Sequence, residues 1–297
     1  MRGEPGNARA RPLAAGAYGL RIEGLDEVAR WMPAVPADAP LLRVSAVVGP
    51  ASDAPTYMDE QTADVALLGG GRMRARRGGE AVEFGMPELP SPADLLHPFL
   101  APAAAITWRW LGEEALHAGV VQIGDIAVLL FGAKEAGKST TLTWLAQHAE
   151  TPVLSDDLAI VVGRRVFAGP RSIDLRAASW VPPDLPSVRG GDRVRLALGP
   201  APPSLPVGGS VFLEWGPRDA LMTMPPAARL GALGRQRMFA RLATDEMALL
   251  DLAALPTFTL VRPRAIEGVE STARAIIERF SAGGGEPAHD GLGASSS

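Results

Sequence analysis

The run from Gly132 to Thr140, GAKEAGKST, has the residue types and spacing of a phosphate-binding loop, G-x-x-x-x-G-K-[ST]. Gly132 and Gly137 frame the loop, Lys138 supplies a cation and Ser139 a hydroxyl. Phosphate oxygens need several N–H donors converging from one side, and a glycine-bearing turn lets the backbone come close enough to provide them. A helix opening at the end of such a loop adds its N-terminal N–H groups and dipole. Gly132, Ala133, Lys134, Glu135, Ala136, Gly137, Lys138, Ser139 and Thr140 are therefore the candidate nucleotide-binding set. In that chemistry the lysine bridges the outer phosphates and the serine ligates Mg²⁺.

Two further groups of residues suit the same chemistry. Val153-Leu154-Ser155-Asp156-Asp157 is an apolar strand ending in adjacent carboxylates. One carboxylate can hold Mg²⁺ and the other can accept a proton from an attacking hydroxyl; the pair could equally cap a turn. Side chains alternate along a strand, so the two face opposite sides unless the chain bends there. Further on, Arg171 and Arg176 bracket Asp174. An arginine near a transferred phosphoryl group stabilises its charge, and a carboxylate can hold the metal or orient the arginine. The alternative is a surface ion pair.

The loop needs a buried strand before it and a helix after it. Ile126 to Phe131 (IAVLLF) is a continuous apolar run, and Thr140 to Glu150 places Leu142, Leu145, Ala146 and Ala149 on one helical face. Leu116 to Gln122 predicts a strand beginning at His117 and joined to Ile126 by a turn at Gly124-Asp125. Upstream, Tyr18-Gly-Leu-Arg-Ile and Leu41 to Val48 read as strands, Asp26 to Met32 as a short helix and Val65 to Phe84 as a meander. Arg72, Arg74 and Arg76 would share one strand face, as a patch for an acidic peptide or as a solvated surface. Ser91-Pro92-Ala93-Asp94 starts a helix, and Pro98 and Pro102 predict two short helices before Leu111. Trp108, Trp110 and His97 read as packing residues.

Downstream, residues 181–209 are rich in proline and glycine and predict a long connector, a lid or recognition loop, with one short strand at Arg193-Val-Arg-Leu-Ala-Leu. Ser210 to Trp215 reads as a strand that Asp219 to Thr223 could join. Ala227 to Leu255 is helical in pattern with Arg235, Arg237 and Arg241 as candidate substrate contacts. Thr257 to Val261 is a last strand and Ile266 to Phe280 a closing helix. The predicted organisation is a flexible tail at 1–14, a β-rich region at 15–90, a P-loop region at 91–280 and a low-complexity tail at 281–297.

His117-Ala-Gly-Val-Val, Gly124-Asp125, the loop GAKEAGKSTTLTWLA and LSDD together resemble the catalytic core of the HPr kinase/phosphorylase superfamily, over residues from about 95 to 180. That superfamily shares its nucleotide-binding fold with phosphoenolpyruvate carboxykinase. The resemblance implies a mixed α/β P-loop core using ATP and Mg²⁺. It also implies roles: His117 beside the phosphate loop, Asp156 as the base, and Asp157 near the metal. The shorter members include serine kinases that act on precursor peptides. The family's Glu-Ile-Arg-Gly signature is altered here to Ile173-Asp174-Leu175-Arg176, with no following glycine. That departure points to a kinase without phosphorylase activity, acting on a peptide and not on HPr.

Hydrophobic residues make up 47% of the 297, enough for a sizeable core. A net charge of −4 argues against nucleic acid or an anionic membrane as partner. The absence of cysteine removes disulfides, thiolate catalysis and Cys-ligated zinc, and the four histidines show no metal-site spacing with one another. No apolar signal core or span is present, which predicts a soluble cytoplasmic protein. The resemblance admits a homo-oligomer, although the sequence carries no interface signature. Three functions stay open: a kinase for a peptide or protein serine, a small-molecule kinase on the same core, and a nucleotide-binding module that transfers nothing.

Overall fold

The computed structural model describes residues 12–67, 69–148, 150–176, 187–189, 193–243 and 245–281. The N-terminal strands are β1 (Leu13–Ala17), β2 (Leu20–Glu23), β3 (Ala34–Pro36), β4 (Leu41–Val48), β5 (Tyr57–Met58), β6 (Thr62–Ala66), β7 (Arg72–Arg76) and β8 (Ala81–Met86). They form one sheet in the order β3-β1-β2-β4-β8-β7-β6-β5. Alternation in β4 turns Leu42 and Val44 inward and leaves Arg43 and Ser45 outside. Leu13 and Ala14, expected in the tail, already belong to β1. Tyr18 and Gly19, expected within a strand, instead turn β1 into β2, both with left-handed backbone (φ 57° and 77°), which suits a tight hairpin. Arg72 is not part of a basic patch. Its guanidinium is buried, bonding the Asp64 carboxylate and the carbonyls of Ala54, Pro55 and Asp64, while Arg74 and Arg76 face outward.

Ser91 caps a single turn, α1 (Pro92–Asp94), in a reciprocal capping box with Asp94. The helix α2 (Leu100–Trp110) follows a five-residue wide turn at Leu95–Phe99. The break falls at His97, whose extended backbone is what a following proline favours. Pro102 does not interrupt α2, as it sits in the first turn, where its missing N–H had no helical partner to lose. Leu100, Ala104, Ile106, Trp108 and Trp110 pack into the same core as Leu42, Val44 and Phe84 of the N-terminal sheet, so α2 sits on that sheet. Trp108 donates to the Tyr18 carbonyl and stacks on Phe167, tying this layer to the next.

The second sheet holds β9 (Glu114–Leu116), β10 (Gly119–Ile123), β11 (Ile126–Gly132), β12 (Val153–Ser155), β13 (Ala159–Val162) and β14 (Arg165–Phe167). A smaller sheet follows, with β15 (Ser172–Arg176) and β16 (Ser187–Arg189) flanking β17 (Arg193–Ala197). The main sheet is completed by β18 (Ser204–Trp215), β19 (Ala220–Thr223) and β20 (Thr257–Arg262). At its centre β11, β18 and β20 run parallel. The apolar run of β11 divides by parity: Val128 and Leu130 enter a core shared with Leu142, Leu145 and Ile276, whereas Ala127, Leu129 and Phe131 enter one shared with Leu233, Leu249 and Leu252. Burial on both faces is why the run is unbroken. The first face is covered by α3 (Lys138–Leu145) and α6 (Val269–Ser281), the second by α4 (Pro226–Gly234) and α5 (Glu246–Ala254).

Several expectations change here. The helix after the loop ends at Leu145, five residues before Glu150. The strand expected from Leu116 to Gln122 is broken at His117-Ala118, between β9 and β10. β18 begins at Ser204, so the last six residues of the expected 181–209 loop are strand; most of its first half lies outside the described residues. β19 pairs with β20 and not with β18. The 227–255 stretch is two helices separated by turns. The expected tails at 1–14 and 281–297 fall almost wholly outside the described residues. Among the described residues no helix is long and apolar enough to cross a membrane.

Candidate active site

β11 ends at Gly132, and α3 begins at Lys138 after Gly137, whose φ of 81° requires glycine or strain. A Cβ at Gly137 would also fall 2.8 Å from the Arg262 guanidinium. Four hydrogen bonds fix the loop. Ala136 N–H donates to the Ala133 carbonyl (3.0 Å), Trp215 Nε1 to the Glu135 carbonyl (3.1 Å), Arg262 Nη2 to the Ala136 carbonyl (2.7 Å) and Lys138 Nζ to the Gly132 carbonyl (2.9 Å). The N–H groups of Lys138, Ser139 and Thr140 occupy the first turn of α3, where no helical carbonyl can accept from them. Glu135 at the loop tip pairs with Arg176 (2.7 Å) and Arg264 (3.5 Å).

Lys138 is buried, and its pKa is lowered by burial against the opposing pull of Asp157 and Asp156. Its Nζ lies 3.2 Å from His117 Nε2. Burial and the neighbouring Lys138 lower the His117 pKa, so the neutral ring accepts from the ammonium. The break between β9 and β10 aims this ring, and His117 N–H is held by the Gln236 carbonyl.

β12 stops at Ser155 and the chain bends, which separates the two carboxylates. Asp156 is buried: Oδ1 accepts the Ser139 hydroxyl (2.9 Å) and Oδ2 the Asp174 N–H (3.3 Å). Burial, and then the charge of Asp157, push its pKa well up. Asp157 is half-buried and lines a cavity of about 560 Å³ with His117, Lys138, Asp174, Arg176 and Arg193. The two carboxylates are placed differently: Asp156 is joined to Ser139, and Asp157 lines the cavity.

Asp174 on β15 is buried opposite Arg195 on β17, which reaches it with Nε at 2.7 Å and Nη2 at 3.3 Å. His97 Nε2 lies 3.5 Å from Asp174 and 3.9 Å from Asp157. Neither His97 nor Arg195 carries a role in the sequence reading. The antiparallel register that sets Asp174 against Arg195 is the signal for the latter; the short strand at Arg193 to Leu198 is legible, but the connector before it hides which strand it pairs with. His97 is a lone ionisable group in an apolar stretch, and only the turn at Pro98 delivers it to the site.

Arg171 does not line this cavity. Its buried guanidinium bonds the carbonyls of Val153, Leu154 and Gly199, and burial lowers its pKa to about 10. It clamps the strand that leads to Asp156. Arg176 does line the cavity, with half of its side chain exposed. Of the later arginines, Arg237 is engaged by Glu114, which Arg109 also binds, while Arg235 lines a cavity on the far side of the loop.

Among the described residues no three His, Cys, Asp or Glu side chains are grouped to hold a metal by themselves. A Mg²⁺ carried by phosphates needs less, one or two carboxylates and a hydroxyl, which Ser139 and Asp156 supply.

No family model matches the sequence, and no curated protein matches it. Among solved structures, the Hpr(Ser) kinase/phosphatase from Coxiella burnetii aligns with 11% identity and a TM-score of 0.32, over 58% of this chain and 99% of that one.

Proposed function

We propose that the chain is an ATP-dependent phosphotransferase that moves the γ-phosphate to a hydroxyl, a serine of a peptide or protein. The observation that carries the reading is the convergence on one cavity of a phosphate loop, its buried lysine and a carboxylate free to face an acceptor. The loop N–H groups and Lys138 bind the phosphates, and Arg176 adds charge at the rim. Ser139 and Asp156 would hold Mg²⁺, which when bound would neutralise phosphate charge. Asp157 accepts the hydroxyl proton as the acceptor oxygen bonds phosphorus and the bond to the ADP oxygen breaks. His117 holds Lys138 in place. Asp174, fixed by Arg195, orients Asp156 through its N–H.

Beyond Asp157 the cavity lining includes Leu175, Arg176 and Arg193. The acceptor proposed is a peptide, and a small metabolite is the alternative that the same experiment separates. An ATP-dependent enzyme of this kind belongs in the cytoplasm. Incubation with γ-labelled ATP, Mg²⁺ and candidate peptides, followed by mass spectrometry, tests the proposal. A phosphoserine on one peptide supports it; label on a metabolite only, or nucleotide binding without any transfer, contradicts it.

A further inference from the structure

β9 is an edge strand of the main sheet, and the chain leaves it at His117. A segment far along the chain pairs with it there. Arg237 bridges Leu116, Met238 N–H donates to the Ala115 carbonyl (2.8 Å), and His117 N–H donates to the Gln236 carbonyl (2.8 Å). The same segment runs beside the phosphate loop, since Gln236 lines a cavity of about 340 Å³ with Gly132 and Ala133. An ion cluster fastens it. Arg237 donates to Glu114 through Nε (3.0 Å) and Nη2, and Arg109 on α2 donates to the same carboxylate at 3.1 Å. The Glu114 and Arg109 side chains are fully buried, and that of Arg237 is 19% exposed. Arg109 also bonds the Leu242 carbonyl, so the segment is gripped at both ends. Between the two grips Phe239 has left-handed backbone, φ 50°, a conformation that an aromatic residue keeps only where its surroundings hold it.

Buried ion pairs gain little net stability over a packed apolar cluster, because both charges lose their water. What such a cluster can secure is geometry, and here the geometry ends at His117. We infer that Arg237 is a positioning residue for the phosphoryl transfer: by gripping Glu114 it holds the Gln236 carbonyl on the His117 N–H and so aims the imidazole at Lys138. The inference rests on the phosphotransferase reading above. The register of β9 with β13 stops at Leu116, opposite Ala159, so the His117 backbone lies past its end and takes its direction from Gln236. The ring then meets Lys138 Nζ at 3.2 Å, while the Gly132 carbonyl accepts from the same ammonium at 2.9 Å. Arg237 itself does not line the phosphate cavity. Its effect on the reaction therefore passes through His117, and a displacement of about 1 Å at a charge aimed at the transferred group can cost about 10²-fold in rate.

The test is a double-mutant cycle on transfer kinetics, using γ-labelled ATP, Mg²⁺ and the peptide phosphorylated in the assay above. The four proteins are native, Arg237→Met, His117→Gln and the double variant. Arg237→Met leaves Glu114 balanced by Arg109, so it should fold. If it does not, Arg237→Gln takes its place in the cycle. The kcat of Arg237→Met should fall about 10–10²-fold, with the KM for ATP within a few-fold of native. Arg237→Lys, which keeps a charge for Glu114, should recover a good part of the loss. In the His117→Gln background Arg237→Met should cost little more, because the ring it aims is gone; a merely structural defect would lower both backgrounds alike. Hydrogen exchange adds a readout independent of activity. The His117 amide should exchange faster in Arg237→Met while the amides of α3 keep native protection. Native kcat in Arg237→Met, losses that multiply in the double variant, or unchanged exchange of the His117 amide each overturn the inference and leave the phosphotransferase reading standing. Absence of transfer by the native protein overturns that reading and the inference with it.

Discussion

The Ser139 hydroxyl donates to Asp156 Oδ1 at 2.9 Å, joining the first turn of α3 to the end of β12. This bond sets the two neighbouring aspartates apart. Asp156 is held by the serine, and Asp157 is left lining the cavity, the placement on which the proposed metal and acceptor roles rest.

The two Asn variants should therefore fail differently. Asp157→Asn keeps shape but accepts no proton, so transfer should fall about 10²–10⁴-fold while nucleotide affinity stays near native. Asp156→Asn should weaken the metal site, and raised Mg²⁺ should recover part of its activity. Mg²⁺ dependence of the rate, measured for each, checks the assignment; recovery by Mg²⁺ in Asp157→Asn instead would reverse it.

Arg171→Met should be a stability variant. It strips the carbonyls of Val153, Leu154 and Gly199 of a shared donor, which costs about 1–3 kcal/mol per unsatisfied group. Urea unfolding should show the loss. Specific activity of the folded fraction should stay within a few-fold of native.

Arg195→Met leaves the Asp174 carboxylate buried without its partner on β17, a change of about 3–5 kcal/mol. Asp174→Asn in the same chain removes the stranded charge and should recover a good part of that loss. A double-mutant cycle by chemical denaturation measures the coupling.

How much of this was legible in the sequence follows from the range of each interaction. The loop, its strand and its helix start are contiguous, so their types and order show in the residues themselves. The parity of β11 explains why its run is unbroken but does not show which helices cover each face. The cavity-facing position of Asp157 depends on a bend after Ser155, which residue types do not announce. Arg171 reads as a phosphate ligand because arginine near a P-loop motif usually means charge recognition; only its three carbonyl partners, two on β12 and one before β18, reveal a clamp. His97 and Arg195 reach the site across long stretches of chain, as does Trp215, whose partner Glu135 lies 80 residues away.

Acid should weaken the fold through its histidines. Burial lowers the pKa of His97 despite the attraction of Asp174 and Asp157. The folded state therefore holds this ring neutral at a pH where the unfolded chain, near 6.5, takes up a proton. The unfolded state binds more protons in that window, so stability present above about pH 6.5 is lost as pH falls below it. Melting temperatures between pH 7.5 and 5 should decline, and the decline should be shallower in His97→Gln.

In the proposed reaction Lys138, held by Gly132 and His117, supplies the charge on which phosphoryl transfer depends. The most direct test is the turnover of Lys138→Ala beside native protein, with γ-labelled ATP and an accepted peptide. Removing a preorganised charge of this kind costs about 3–4 kcal/mol in the barrier, a rate loss of about 10²–10³-fold. That loss should come with a circular dichroism spectrum unchanged from native. Turnover within a few-fold of native would contradict it and remove the loop from the mechanism.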